Sequence, residues 1–299
     1  MTGLPRITIV TPSYNQGRYL EETIDSVLSQ AYPALEYIVL DAGSTDASVD
    51  IIKRHERHLA YWHSRRDRGQ SDALNQGFNR STGDLLNWLN SDDVLAPGAL
   101  RALGEAYGGP GLALYAGGVE VFGEDGSILQ TGWQAGLNEE DLVRFWTGRT
   151  FQQPGVFMTR GAWMQASPID ESLHYAMDRD LFVRAVRGAD VVRLDRIVAR
   201  FRAHAAQKSN HGARMFVDNC RVVEKVEPDL PAAVRAEFRT VMAQSLVSYA
   251  AVSAARRDLR GAIELLRLAA RTDAAAAALG VPERAFRLVR RWIRSRGSR

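Results

Sequence analysis

The 299-residue chain predicts an α/β fold: a mostly parallel sheet flanked by helices, with a helical region appended beyond residue 212. Three observations carry that expectation. Short β-rich runs alternate with helical stripes through the first ninety residues, and such alternation lays successive strands side by side and parallel, with helices on the faces. Two of the runs end on acids, at Asp41 and at Asp92-Asp93, and in open parallel sheets ligands bind beyond the carboxyl ends of the strands. From about Ala213 the composition turns to Ala, Arg and Leu at helical spacing. The boundary is therefore drawn between a domain of residues 1–212 and a helical region of residues 213–299.

Each element has a local reason. Ile7-Thr8-Ile9-Val10 is a first strand, closed by Thr11-Pro12-Ser13-Tyr14-Asn15. Tyr19, Leu20, Thr23, Ile24, Val27 and Leu28 then share one helical stripe that stops ahead of Pro33. Leu35 to Leu40 is a second buried strand, and Val49 and Ile52 mark the helix after it. A third strand centres on Ala60-Tyr61-Trp62, a helix covers Ser71 to Asn79, and an apolar run from Leu85 leads into Asn90-Ser91-Asp92-Asp93. Further on, a helix from Arg179 to Arg187 ends at Gly188. In the last part, Val247, Ala250, Ala251 and Ala254, then Ala262, Leu265, Leu266 and Ala269, describe two antiparallel helices joined near Asp258-Gly261, faintly like one tetratricopeptide unit.

The acid pair admits two readings. Asp92 and Asp93 can cap a helix starting near Pro97. Alternatively, two carboxylates side by side at the end of a buried strand repel unless something compensates them. Mg²⁺ or Mn²⁺ does so with one or two protein carboxylates and completes its shell with water and substrate phosphates. Asp178 likewise reads either as the N-cap of its helix or as a general base.

Composition narrows the classes. With 45% hydrophobic residues the chain can bury one large core plus an appendage. The single Cys220 excludes an internal disulfide framework and fits a reducing cytosol. The N-terminus shows no leader pattern, and no apolar run reaches the length of a membrane span. A cytoplasmic protein is expected, and the net charge of +3 gives no reason to expect a nucleic-acid partner. After Pro282, seven arginines from Arg284 to Arg299 alternate with Phe286, Leu288, Val289, Trp292 and Ile293. This basic amphipathic end reads either as a peripheral contact with an anionic membrane or as a helix packed on the protein itself. No Gly-x-Gly-x-x-Gly or Walker loop follows the first strand, so the dinucleotide and P-loop readings lose their main support.

Four segments, taken in order, carry a resemblance. Thr11-Pro12-Ser13-Tyr14-Asn15, Ser26-Val27-Leu28-Ser29-Gln30, Asp41-Ala42-Gly43-Ser44-Thr45-Asp46 and Asn90-Ser91-Asp92-Asp93 resemble the successive signatures of family 2 glycosyltransferases of the GT-A fold, over roughly the first 210 residues. The stretch from Asp67 to Gly77 resembles the bacterial members that build polysaccharides of the cell envelope. The resemblance implies an inverting glycosyltransferase. Its donor would be a nucleotide-diphosphate sugar, uridine-linked by expectation, its acceptor a hydroxyl of a glycan or lipid-linked glycan, and its cofactor Mn²⁺ or Mg²⁺.

The family pattern also implies roles. Thr11, Ser13, Tyr14, Asn15 and Ser44 would line the nucleotide, and Asp41 would bond its base. Asp67, Gly69, Asp72 and Asn75 would complete the donor pocket, while Asn90, Ser91 and Asp92 would hold the ribose and diphosphate. Asp92, Asp93 and His204 would hold the metal, with Asp93 as its anchor, and Arg202 and Lys208 would offset the charge of the leaving diphosphate. Asp178 would be the catalytic base, with Gln152, Gln153, Met177 and Asp180 on the acceptor side. Ala42, Asn90 and Met177 stand where acids are common in the family. Those departures keep open a catalytically inactive sugar-binding or scaffold protein. A sugar nucleotidyltransferase is a further alternative, although Thr11 to Asn15 lacks the Gly-rich basic loop that a triphosphate needs.

Overall fold

A computed structural model of the chain describes residues 3–210, 212–255 and 259–278. Two compact units divide between His211 and Gly212. In the first, β1 (Ile7–Ser13), α1 (Leu20–Leu28), β2 (Leu35–Asp41), α2 (Ser48–His55), β3 (Tyr61–Ser64), α3 (Gln70–Arg80) and β4 (Leu85–Trp88) follow one another. The α/β class expected from the alternation is what is observed. β1 lies between β2 and β4, parallel to both, and β3 is parallel to β2 on its far side. The chain thus adds strands outward from β1 in one direction and then crosses over to add β4 in the other. The crevice at such a reversal is where ligands bind in this class of sheet, and here the carboxyl ends of β1 and β4 flank it.

The sheet continues with β5 (Val94–Leu95), α4 (Ala99–Ala106), β6 (Ala113–Gly123), β7 (Ile128–Gly132), α5 (Glu139–Val143), β8 (Val156–Thr159), α6 (Arg160–Ala166), α7 (Met177–Ala185) and β9 (Asp190–Ala203). Beyond β4 the order is β8, β6, β9, β5, with β7 paired to β6. β8 joins β4 and β6 antiparallel, whereas β6 and β9 run parallel with register shifts near Gly118. β9 matters most for the site, because its end carries Arg202 and leads to His204.

Strand alternation explains the two-faced core. Ile7 and Ile9 of β1, with Tyr37 and Val39 of β2, cluster with the buried residues Leu20, Ile24 and Val27 of α1 and Ile51 and Ile52 of α2. Each fully buried aliphatic side chain of this kind contributes roughly 1.5–3 kcal/mol. On the other face α3 presses directly on β1. A Cβ at Gly77 would stand 2.5 Å from Cγ1 of Val10, so any larger residue would push the helix off the sheet. Gly69, at φ +122°, supplies the turn into α3 that a side chain would strain.

The second unit holds α8 (Gly212–Val226), α9 (Ala232–Ala255), α10 (Leu259–Thr272) and α11 (Ala274–Ala278). α9 and α10 pack together, and Thr240 near the start of α9 donates to Asp273 just past the end of α10, so the pair is antiparallel. No helix among the described residues is long and apolar enough to cross a membrane. The arginine-rich stretch after Pro282 lies outside the described residues.

Candidate functional site

The turn after β4 separates its two aspartates. Asp93 is fully buried, and both carboxylate oxygens are held from inside: Oδ1 accepts the Arg202 backbone N–H at 3.0 Å and Oδ2 accepts Asn90 Nδ2 at 3.2 Å. Burial, together with the neighbouring Asp92 charge, pushes its carboxyl well above the ordinary range, against those two donors. Asp93, the expected metal anchor, thus has both oxygens engaged by protein donors. Ser91 is buried in the same turn.

Asp92 faces the other way. It is half-buried, and its Oδ2 lies 3.0 Å from His204 Nε2, delivered by the chain just past β9. His204 is held in place from several sides. Its ring packs on Tyr19 at 5.0 Å, its N–H donates to Gln207 Oε1, and Asn210 Nδ2 donates to its carbonyl. One carboxylate and one imidazole fit a hard divalent cation that takes its other ligands from phosphates and water. Among the described residues no group of three or more His, Cys, Asp and Glu is placed to hold a metal.

Arg202 is not aimed at a leaving group. It is buried, its Nε donates to the Asp92 carbonyl at 3.0 Å and its Nη2 pairs with Glu22 at 2.6 Å, with Tyr19 and Phe122 flanking the guanidinium. It clamps the Asp92-Asp93 turn instead. Lys208 does reach the site. Its Nζ donates to Gln70 Oε1 at 2.7 Å; Gln70 Nε2 donates to Asn90 Oδ1 at 2.7 Å; Asn90 in turn donates to Asp93. Asn90 joins the chain by accepting from Gln70 through Oδ1 and donating to Asp93 through Nδ2.

On the β1–β2 side, Asp41 is also buried and fully occupied. Its oxygens accept the N–H groups of Gly43 and Ser44 and the hydroxyls of Ser44 and Ser64, at 2.5–3.0 Å. These four contacts hold the loop, three of them on Oδ2 and one on Oδ1, and Ala42 adds no acid beside it. Ser44 Oγ also accepts the Asn15 N–H, and Asn15 Oδ1 accepts Thr45 N–H, so Asn15 and Ser44 lock the two loops together. Thr11 is buried and shares a hydrogen bond with Tyr37, beneath rather than within the crevice. Ser13 is buried with an Oγ that has no partner in the protein, and Tyr14 stands 60% exposed at the mouth.

At the start of α3, Asp67 is half-buried and accepts the Gly69 N–H; burial raises its carboxyl above the usual range. Asp72 is spent on Arg68, whose guanidinium also grips Glu171. Asn75 exchanges two hydrogen bonds with the backbone of Ile169. Both tie α3 to its neighbours.

α7 begins at Met177 with Ala176 as its cap residue, so Asp178 lies within the first turn and is not the N-cap. Its Oδ1 accepts the Arg179 N–H. Burial raises the carboxyl, while Arg179 and Lys208 pull it down. It is thus a stronger base than a solvated aspartate, beside the lysine that leads back to Asn90. Met177 is buried against the Ser71 hydroxyl, and Asp180 is buried and paired with Arg184, so neither faces an acceptor. Gln153 is buried, with Nε2 donating to Asn87 Oδ1 and the Trp88 carbonyl, and so buttresses β4. Gln152 is half-buried and retains an unpartnered Oε1. Sequence reasoning passed over Gln70, although it lies in the Asp67–Gly77 stretch, and over Glu22, for which no signal existed.

The carboxyl edge of the sheet thus gathers a carboxylate–imidazole pair, Asp92 and His204, near the point where the strand order reverses. Comparison with known proteins makes this specific. Residues 8–167 match the model described as glycosyl transferase family 2, and the chain belongs to that family. It is 39% identical over 113 residues to an uncharacterised glycosyltransferase of Mycobacterium tuberculosis, covering 37% of this chain and 43% of that one. It is 36% identical over 94 residues to a putative teichuronic acid biosynthesis glycosyltransferase of Bacillus subtilis, over 30% of this chain and 36% of that one. The chain therefore spans less than half the length of these relatives. In fold it is similar to Staphylococcus aureus TarS, solved with UDP, at a TM-score of 0.59 and 16% identity over 80% of this chain and 70% of TarS residues 1–349. It is similar also to a Pyrobaculum calidifontis mannosyltransferase solved with GDP-mannose and Mn²⁺, at 0.55 and 19% over 98% and 80%. The GT-A architecture expected from the motifs is thereby established.

Proposed function

We propose that this chain is an inverting glycosyltransferase that moves a sugar from a nucleoside diphosphate to a hydroxyl of a glycan or lipid-linked glycan. The observation that carries the reading is the pairing of Asp92 with His204 at the switch point, linked through Asn90, Gln70 and Lys208 to the neighbourhood of Asp178. A cation of the Mn²⁺ or Mg²⁺ kind held by Asp92 and His204 would supply Lewis-acid stabilisation to the departing diphosphate. The protein's own part is proton transfer and placement. Asp178 takes the proton of the acceptor hydroxyl as that oxygen bonds to the anomeric carbon. The bond from that carbon to the diphosphate oxygen breaks on the opposite face, which inverts the centre. Ser13 and Tyr14 hold the nucleoside, and Arg202 keeps the Asp92 turn rigid, so the geometry is prepaid before substrate arrives.

The base is less narrowly specified than the sequence motifs imply, because Asp41 is occupied and Ala42 carries no acid. We therefore read the nucleotide as open between uridine and other bases. An acceptor in envelope polysaccharide synthesis draws support from the Bacillus relative, and a peripheral membrane contact through the arginines after Pro282 belongs to the same reading. The test is release of nucleoside diphosphate from UDP-, GDP- and dTDP-sugars with and without Mn²⁺, with the product anomer assigned by NMR. Metal-stimulated release with inversion is expected; no release from any donor, or a retained anomer, overturns the reading.

A further inference from the structure

The β6–β7 hairpin ends in an aromatic surface that the donor chemistry does not use. Trp133, just past β7, is 51% exposed and its ring lies on the bare backbone of Gly118 beside Ile197, and Leu129 within β7 is 61% exposed. Two exposed large apolar side chains on one hairpin make a patch, not a scattered residue. The patch is also held rigidly. The neighbouring Gln134 is buried, donates to the carbonyls of Gly117 and Gln152, and accepts the Gln152 N–H at 2.7 Å.

That clamp fixes where the patch sits relative to the chemistry. Phe151, next along from Gln152, meets Phe182 of α7 edge-on at 5.2 Å and lies under the Arg179 guanidinium at 5.3 Å. Arg179 follows Asp178 directly. A run of contacts therefore leads from Gln134, beside Trp133, through Gln152 and Phe151 to Arg179 and Phe182 of α7. Gln152 Oε1 is buried with no partner in the protein, and an amide oxygen is costly to leave unmade. Its last torsion is broad, so it turns readily toward a hydroxyl.

We propose that Trp133 is a stacking platform for a sugar ring of the acceptor, with Gln152 accepting one of its hydroxyls, so that the acceptor is an existing carbohydrate chain and not a lone lipid phosphate. An aromatic face matches the C–H face of a pyranose, and an unpartnered carbonyl matches its O–H. Ligand sites combine these two features. This rests on the transferase reading, and the test separates the two.

Full-length protein with Mn²⁺ and UDP or GDP is applied to an array of immobilised oligosaccharides, beside Trp133→Ala, Trp133→Phe and Gln152→Leu. The wild type is expected to retain at least one oligosaccharide. Trp133→Ala should lose it about tenfold or more, as truncated aromatic anchors do, Trp133→Phe should keep part of it, and Gln152→Leu should lose less. With a retained sugar as acceptor, the loss should appear in KM while kcat stays within about twofold, the pattern of removed ground-state binding. Nucleotide affinity by calorimetry, unchanged in all variants, shows that they fold. Equal retention by wild type and Trp133→Ala, or no retention by the wild type, overturns the platform. Failure of the wild type to bind or cleave any nucleotide sugar overturns the transferase reading instead.

Discussion

At the carboxyl end of β2, Asp41 turns inward and gives both oxygens to four protein donors. At the carboxyl end of β4, Asp92 turns outward, half-buried, against His204. Both acids follow apolar strands, and both stand at the same edge of the sheet. What separates them is the supply of donors. The loop after β2 offers two backbone N–H groups and two hydroxyls within reach, which saturates a carboxylate. The turn after β4 sends its donors to Asp93, leaving Asp92 for something from outside. The inward carboxylate carries the frame, and on the proposed reading Asp92 with His204 is the pair that meets the cation.

That division can be broken by mutation. The largest effect is expected at Asp178: replacement by Asn should lower kcat by roughly 10²- to 10⁴-fold, the worth of a positioned base, with nucleotide affinity kept. Steady-state kinetics with calorimetry checks it, and lost donor affinity with normal turnover would make Asp178 structural. Next, Asp92→Asn should cost roughly 10²-fold in turnover, of the order of losing one charge-stabilising contact. It should also abolish stimulation by Mn²⁺ while leaving the melting temperature nearly unchanged. Asp41→Ala should behave oppositely, losing about 1–3 kcal/mol of stability because four donors are left unpaired. Denaturant titration would show it. If Asp41→Ala instead lost only donor affinity, the inward assignment would fail.

Two smaller effects sharpen the comparison through pH. The folded protein holds the Asp93 proton more tightly than the unfolded chain does, since burial and Asp92 raise its carboxyl. Between the unfolded value near 3.9 and the raised folded one, the native state binds more protons, so stability falls as pH rises through that window. Asp93→Asn should flatten this decline in melting curves taken across it; a wild type whose stability rises through the same window would contradict the buried assignment. Asp178 is raised likewise, and Lys208 pulls it down. The acid limb of the rate profile should therefore lie above the ordinary aspartate value. Lys208→Gln should move that limb to higher pH, and an unmoved limb would separate the lysine from the base.

Much of the scaffold was legible in the sequence. The strands from Ile7 and Leu35, the stripe of α1, the helix over Ser71–Asn79 and the acids at strand ends all follow from short-range periodicity and from Pro33 and Gly69, where backbone torsions are restricted or freed. α7 begins two residues earlier than Arg179, which is enough to move Asp178 from the cap into the first turn. Motif membership singled out Asp72, Asn75, Arg202, Met177 and Asp180 and did not say what they touch.

The sequence by itself determined the alternation of strands and helices and which residues lie at the carboxyl edge, because those depend on neighbours within a few positions. Only the tertiary structure decided which acids face the crevice. His204 meets Asp92 across 112 positions, and Arg202 reaches Asp93 across 109. Such pairings are set by how β9 packs between β6 and β5, and no local pattern encodes them. Whether a carboxylate is free or spent depends on the donors that packing brings within 3 Å of it, a property of the assembled core.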